Sequence, residues 1–215
     1  MTGAGDAEGA ADAPSRFVEI ERKFDVDAGT PVPDWTAVPG VARVTAGEER
    51  HLDALYLDTD DLVLSRAGVA VRRRTGGPDE GWHIKGPLVD GARTELGWPL
   101  GDGDEPPPAV ARELAAWTTE PLAPLARIVN DRTAYELLDA DGGVLAEFVD
   151  DHVRTVDVRG GAEREWHEWE VELGPAAPAD AAARERFFSA VADAAFAAGA
   201  RAAASASKLA RALGH

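Results

Sequence analysis

From Arg16 onward the chain is built of short runs in which apolar and polar residues alternate, separated by clusters of Gly, Pro and Asp. Strand-like patterning covers residues 17–26, 52–58, 69–75, 81–85, 92–100, 126–138, 143–152 and 165–173. Many short strands with turn signals between them predict an all-β sandwich or barrel. The sequences DADGG (139–143) and RTGGPDEG (74–81) predict tight turns between neighbouring strands. Helical spacing is confined to 108–117 (Val110, Leu114, Trp117), 180–198 (Phe187, Phe188, Val191, Phe196) and 205–213. Residues 1–15 are small, acidic and rich in Gly and Ala. They predict a disordered tail ahead of one folded domain over 16–215.

The strands carry their charges on one face. With a period of two, Glu19, Glu21 and Lys23 share one side, while Val18, Ile20 and Phe24 share the other. Arg72 and Arg74 likewise fall together, as do Glu168, Glu170 and Glu172 opposite Trp169, Val171 and Leu173. A wet outer face explains any one such strand. A set of acidic, basic and mixed faces, with an amphipathic helix to cover apolar surface, predicts instead a barrel with a polar lumen.

Composition narrows the chemistry. The 215 residues include 39 acidic and 22 basic ones, a net charge of −17, which disfavours nucleic-acid backbone binding. The hydrophobic share of 45% and charged share of 28% are those of a globular chain, and no stretch is long and apolar enough for a membrane span. There is no cysteine, hence no disulfide or thiolate metal site. The acidic N-terminus lacks the features of a secretory signal, so a cytoplasmic protein is expected. Carboxylates and cations concentrated in one space are costly unless paired or ligated. Polyphosphate gripped by Arg and Lys, with a hard divalent cation on carboxylates, uses both signs.

EIERK (19–23) resembles the opening signature of the CYTH superfamily, the triphosphate tunnel metalloenzymes. LYLDTDDLVLSRAGVAVRRR (55–74), WHIKG (82–86), RTE (93–95), DRT (131–133), EFVDD (147–151), EWEVEL (168–173) and SKLARAL (207–213) resemble the family's further motifs, in the same order. The resemblance implies a mainly β (α+β) fold: an eight-stranded antiparallel β-barrel tunnel with a polar lumen and flanking helices. It implies hydrolysis of small triphosphates with Mg²⁺ or Mn²⁺. Glu19, Glu21, Glu170 and Glu172 would hold the metal, with Glu168 a further candidate. Lys23, Arg72, Arg74, Lys85, Arg132 and Lys208 would grip the phosphates, with Arg93 a weaker partner. Glu21, Lys23, Glu95, Glu170 and an aspartate of the 150–151 pair would do the chemistry. Asp151 is favoured over Asp150 because it shares a strand face with Glu147.

Two positions depart from the family pattern: Gly97 replaces a carboxylate and Asn130 a basic residue. His83, His152 and His167 are scattered singly and are expected to be structural, while His51 is expected at the surface. Trp35, Trp117, Trp166 and Trp169 are expected to pack rather than to stack on a substrate, while Trp82 and Trp98 flank tunnel strands and their faces are not fixed by the pattern. The expected partner is a small triphosphate, inorganic triphosphate before thiamine triphosphate, with no nucleic acid or membrane, in a monomer or homodimer. Adenylate cyclase activity and a non-catalytic polyphosphate-binding module are the alternatives. Lowering the charge of the lumen is expected to stabilise the metal-free protein by relieving carboxylate repulsion.

Overall fold

The computed structural model describes residues 13–101 and 103–215, so residues 1–12 of the expected tail lie outside the described residues. The first half forms β1 (Ser15–Glu19), β2 (Glu21–Val26), β3 (Arg43–Val44), β4 (Glu48–Asp58), α1 (Val63–Arg66), β5 (Ala70–Thr75), β6 (Gly81–Val89), β7 (Ala92–Trp98) and α2 (Pro108–Leu114). The second half forms β8 (Ala123–Leu138), β9 (Val144–Asp157), β10 (Glu163–Leu173), α3 (Ala181–Ala197), β11 (Arg201–Ala202) and α4 (Lys208–Ala212). A single 3-10 turn spans Trp35–Ala37. Strands pair in the order β1-β7-β6-β5-β4-β8-β9-β10-β2-β11, with β3 on β8.

The fold is mainly antiparallel β with few helices, as the pattern predicts. It differs in having eleven strands among the described residues instead of eight, and in a strand order that ends at β1 and β11 without closing. The short strands β3 and β11 carry too few residues for an alternation to be read. The expected strand 17–26 is two strands, because the chain changes partner at Ile20: Glu19 stands opposite Arg93, and Glu21 opposite Glu172. Val18 is consequently no core residue. It lies on a terminal strand of the order and is 62% exposed, whereas Phe24 is buried. No described helix is long and apolar enough to cross a membrane.

The chain groups into two compact units, and β4, β8, β9 and β10 each contribute residues to both. The first contains residues up to Glu19, Leu52–Val129 and Thr155–Glu163. Its core is Val71, Trp82, Ile84, Leu96 and Trp98 of β5, β6 and β7, packed with Val110 and Leu114 of α2 and Leu64 of α1. The second contains Ile20–His51, Asn130–Arg154 and Arg164–His215. Its core joins Phe24, Trp35, Phe148, Trp169 and Val171 to Phe187 and Val191 of α3. Burial of each such side chain contributes about 1.5–3 kcal/mol. Phe196, expected in the α3 stripe, is 47% exposed, because the buried row runs Phe187, Val191, Ala195.

Local chemistry closes the turns and helix ends. At the β8–β9 connection the Asp139 carboxylate accepts from the amides of Asp141 and Gly143, and Gly142 takes a φ of +87°, which favours glycine. Asp180 and Ser207 cap α3 and α4 by accepting from Ala183 and Ala210 amides. Asp58, fully buried, accepts from the amides of Thr59, Leu64 and Ser65 and from the Ser65 hydroxyl, so it organises the turn into α1. Replacing Asp58 by Ala orphans these buried donors, and a loss of at least about 1.5–3 kcal/mol is expected in urea unfolding. An unchanged midpoint would contradict the role given to this carboxylate.

Candidate active site

In the first unit, β4 to β7 bring one charged group together by register. Tyr56 stands opposite Arg72, Arg72 opposite His83, Lys85 opposite Glu95, and His83 opposite Gly97. Glu95 is the hub, only 3% exposed. It lies 2.7 Å from His83 Nδ1, accepts from Arg72 Nη2 at 3.3 Å and pairs with Lys85 Nζ at 2.9 Å. Lys85 also donates to Glu19 at 2.7 Å, and Arg72 donates to the Tyr56 hydroxyl at 3.2 Å. Arg74 is buried but turns to Asp79 in the β5–β6 turn, donating to its carbonyl and pairing with its carboxylate. Arg93 stands opposite Glu19 in the β1–β7 register.

Burial alone would raise the pKa of Glu95, but Lys85, Arg72 and the His83 hydrogen bond outweigh it and hold the carboxyl well below its ordinary range. Burial, together with Arg72, holds the pKa of His83 below its ordinary value against the hydrogen bond to Glu95. Both ring nitrogens face acceptors, since Nε2 lies 2.9 Å from the Asp79 carbonyl. A neutral ring therefore donates to one of them at a time. Gly97 belongs here too: a Cβ would meet Ser15 Oγ at 2.8 Å and approach His83 Nδ1 at 3.9 Å, so the missing carboxylate leaves room for these two groups.

In the second unit, β2 and β10 set Lys23 opposite Glu170 and Glu21 opposite Glu172. Lys23 pairs with Glu21 at 2.9 Å and with Glu170. Arg132 on β8 grips Asp151 with two hydrogen bonds of 2.8 and 2.7 Å and reaches Glu170 at 3.2 Å. Lys208, placed by the first turn of α4, contacts Glu170 at 2.7 Å, Asp151 at 2.9 Å and Glu168 at 2.5 Å. Ligand oxygens of Asp151, Glu168 and Glu170 lie within 4.8 Å of one another, close enough to hold a cation. Asp150 points to the other face of β9, where it accepts from the Trp169 indole at 3.2 Å and meets His167.

Burial opposes every charge in this group, yet the opposite charges prevail. Glu170 is held well below the ordinary carboxyl range by Lys208, Lys23 and Arg132, and Asp151 is held below it by Arg132 and Lys208. Lys23 and Lys208 are correspondingly raised by their carboxylates, and Arg132 by Asp151 and Glu170.

The structure thus gathers Lys23, Arg132, Asp151, Glu170 and Lys208 in one cluster, and Glu19, Arg72, Lys85 and Glu95 in another. Of the expected metal ligands, Glu170 lies in the cation-sized carboxylate group, together with Asp151 and Glu168. His83 is a buried partner of Glu95, joined to it across β6 and β7. Two expectations need correction. His152 and His167 are not scattered: the adjacent strands β9 and β10 stack their rings with centroids 4.0 Å apart. Charge removal is also not a relief at Glu170, because that carboxylate faces three cations and its loss leaves them to repel one another. Trp169 packs in a core, as expected, and Trp82 and Trp98 do so too.

The CYTH domain model matches residues 18–193, and the chain belongs to this family. Its members act on triphosphates with the help of a metal ion. Two uncharacterised proteins of Mycobacterium tuberculosis, from strains CDC 1551 and H37Rv, are each 38% identical over 216 residues. The match takes in 95% of this chain and 42% of each relative, so the chain spans less than half their length. Among solved structures, a Bacillus halodurans protein provisionally assigned as an adenylate cyclase is similar with a TM-score of 0.61 at 17% identity, covering 91% of this chain and 97% of that one. A Hippeastrum adenylyl cyclase candidate, described as having a dominant triphosphatase activity, gives 0.55 at 14% identity, covering 91% and 94%. At these identities the likeness is one of fold.

Two outcomes are expected of the charged clusters. Glu95, Asp151 and Glu170 have folded-state pKa values below those of the unfolded chain, so their stabilisation is complete above about pH 4 and is lost as the pH falls further. Urea midpoints followed downward through that range should drop; midpoints that stay level would refute the ionised clusters. Glu170→Gln should cost about 3–5 kcal/mol, because it leaves buried cations uncompensated. A rise in melting temperature would support carboxylate repulsion instead.

Proposed function

We propose that this chain is a metal-dependent triphosphatase that releases the terminal phosphate of a small triphosphate, inorganic triphosphate first and thiamine triphosphate second. The observation that carries the reading is the convergence of Lys23, Arg132 and Lys208 on Asp151, Glu168 and Glu170. Both signs are needed where an oligoanion and a divalent cation meet. The all-oxygen donor set of Asp151, Glu168 and Glu170 suits a hard ion such as Mg²⁺ or Mn²⁺, and Lys208 already shows that the spot stabilises a positive charge. Bound there, such an ion supplies charge neutralisation for the departing phosphoryl group. Glu21 and Glu172, opposed on β2 and β10, add carboxylates beside it.

The protein's own groups act by position. Lys23, Arg132 and Lys208 exchange part of their hold on carboxylates for phosphate oxygens, and Arg72 and Lys85 offer the same donors in the first unit. Asp151, held below its ordinary carboxyl range by Arg132 and Lys208, is a weak base, so its part is to orient the attacking water, and Glu95 is an equally weak base within its own unit. The substrate preference follows from the aromatic residues. Trp35, Trp82, Trp98 and Trp169 are all committed to cores, which favours a substrate without a ring to stack.

Phosphate release should be measured from inorganic triphosphate, thiamine triphosphate, ATP and long polyphosphate, each with Mg²⁺, Mn²⁺ or EDTA. The expected result is metal-dependent release from inorganic triphosphate, reduced on the order of 100-fold or more in Glu21→Gln, a partly exposed position that keeps the fold. Cyclic AMP and pyrophosphate formed from ATP would replace hydrolysis with cyclisation. Polyphosphate binding without turnover would replace the enzyme with a binding module.

A further inference from the structure

Strands β9 and β10 carry a second group of ligand-type side chains on the face turned away from the charged cluster. Alternation sends Asp151, Glu168 and Glu170 to one side, and Asp150, His152 and His167 to the other. The Asp150 carboxylate meets Nε2 of His167, and the His152 ring lies over the His167 ring at 4.0 Å with 19° between their planes. One ligand atom from each of the three residues lies within 4.8 Å of the others. The His167 side chain is 9% exposed, and its Nδ1 is buried with no hydrogen-bond partner among the described residues. Nε2, the ring nitrogen that meets Asp150, is the one on the side of the cluster, and Nδ1 lies on the other side of the ring.

We propose that Asp150, His152 and His167 bind one transition-metal ion of the Zn²⁺, Co²⁺ and Ni²⁺ class, at a site separate from the proposed triphosphate site. Two imidazoles and one carboxylate form a donor set for these ions, whereas the oxygen-only group on the opposite face suits Mg²⁺ or Mn²⁺. The two faces of one strand pair thus sort metals by ligand chemistry. Tetrahedral coordination at about 2.0–2.2 Å requires ligand atoms roughly 3.3 Å apart. The ligating lone pairs lie in the ring planes, so the exposed His152 must leave its stack on His167 for both rings to ligate one ion.

The surroundings admit a cation. His152 and His167 border an open pocket of about 690 Å³, and each guanidinium of that pocket is matched by an aspartate: Arg154 by Asp131 at 2.7 Å, Arg201 by Asp27 at 2.8 Å, Arg211 by Asp25 at 2.5 Å. Glu165 lines the same pocket and adds a further negative charge. Three protein ligands would leave a fourth coordination position for water or an added ligand.

The test is equilibrium dialysis of the purified chain against Zn²⁺ in the presence of excess Mg²⁺, with Co²⁺ absorption as a spectroscopic readout. Expected are one equivalent of Zn²⁺ and visible Co²⁺ bands of a tetrahedral site. Both should be lost in His152→Ala, whose exposed position preserves the fold, and retained in Glu21→Gln. Affinity should fall on the order of 100-fold in His152→Ala. No bound Zn²⁺, binding that survives His152→Ala, or binding lost in Glu21→Gln overturns the site. Because the readout is metal content, the result stands apart from whether triphosphatase activity is found.

Discussion

Everything in this fold turns on keeping buried charges compensated. Glu170 is nearly enclosed and yet ionised, because Lys23, Arg132 and Lys208 each place a positive charge against it. Glu95 has the same standing in the other unit, with Lys85, Arg72 and His83 around it. Desolvation acts against every member of these groups, and only their mutual attraction keeps them ionised. Such clusters bring little net stability, so stability has to come from elsewhere.

It comes from the other side of the same strands. On β10, Glu168 and Glu170 alternate with Trp169 and Val171, both fully buried. On β5, Arg72 alternates with Val71, which has no exposure at all. Each unit pairs its charged group with an apolar core of its own, built around Trp82 and Trp98 in one and Phe148 and Trp169 in the other. The polar groups are held where they are because the side chains between them have a dry place to go.

Alternation was the legible part of the sequence. It located most strands, the helices led by Asp180 and Ser207, and the shared faces of Arg72 with Arg74 and of Glu168 with Glu170. The ordered motifs pointed to the family. What stayed hidden depends on which strand lies beside which. The partner change at Ile20 divides a run that reads as one uninterrupted alternation, and it exposes Val18. The pairing of His83 with Glu95 and the stacking of His152 on His167 join residues on different strands, so neither has a spacing to be read along the chain. Asp79 escaped notice because it sits in a turn, where no periodicity marks direction.

The tight turn closed by Asp139 has a consequence for how such a chain can vary in length. An added residue within 139–143 is absorbed by the turn and leaves the side chains of β8 and β9 facing as before. The same addition between Asp151 and the end of β9 sends every later side chain of that strand to the opposite surface. Between Asp150 and Asp151 it would detach the carboxylate that Arg132 grips from the face that carries Glu170. A change of length is therefore cheap in the turn and costly in the strand, where it turns charged side chains toward the dry side and apolar ones toward the charged side.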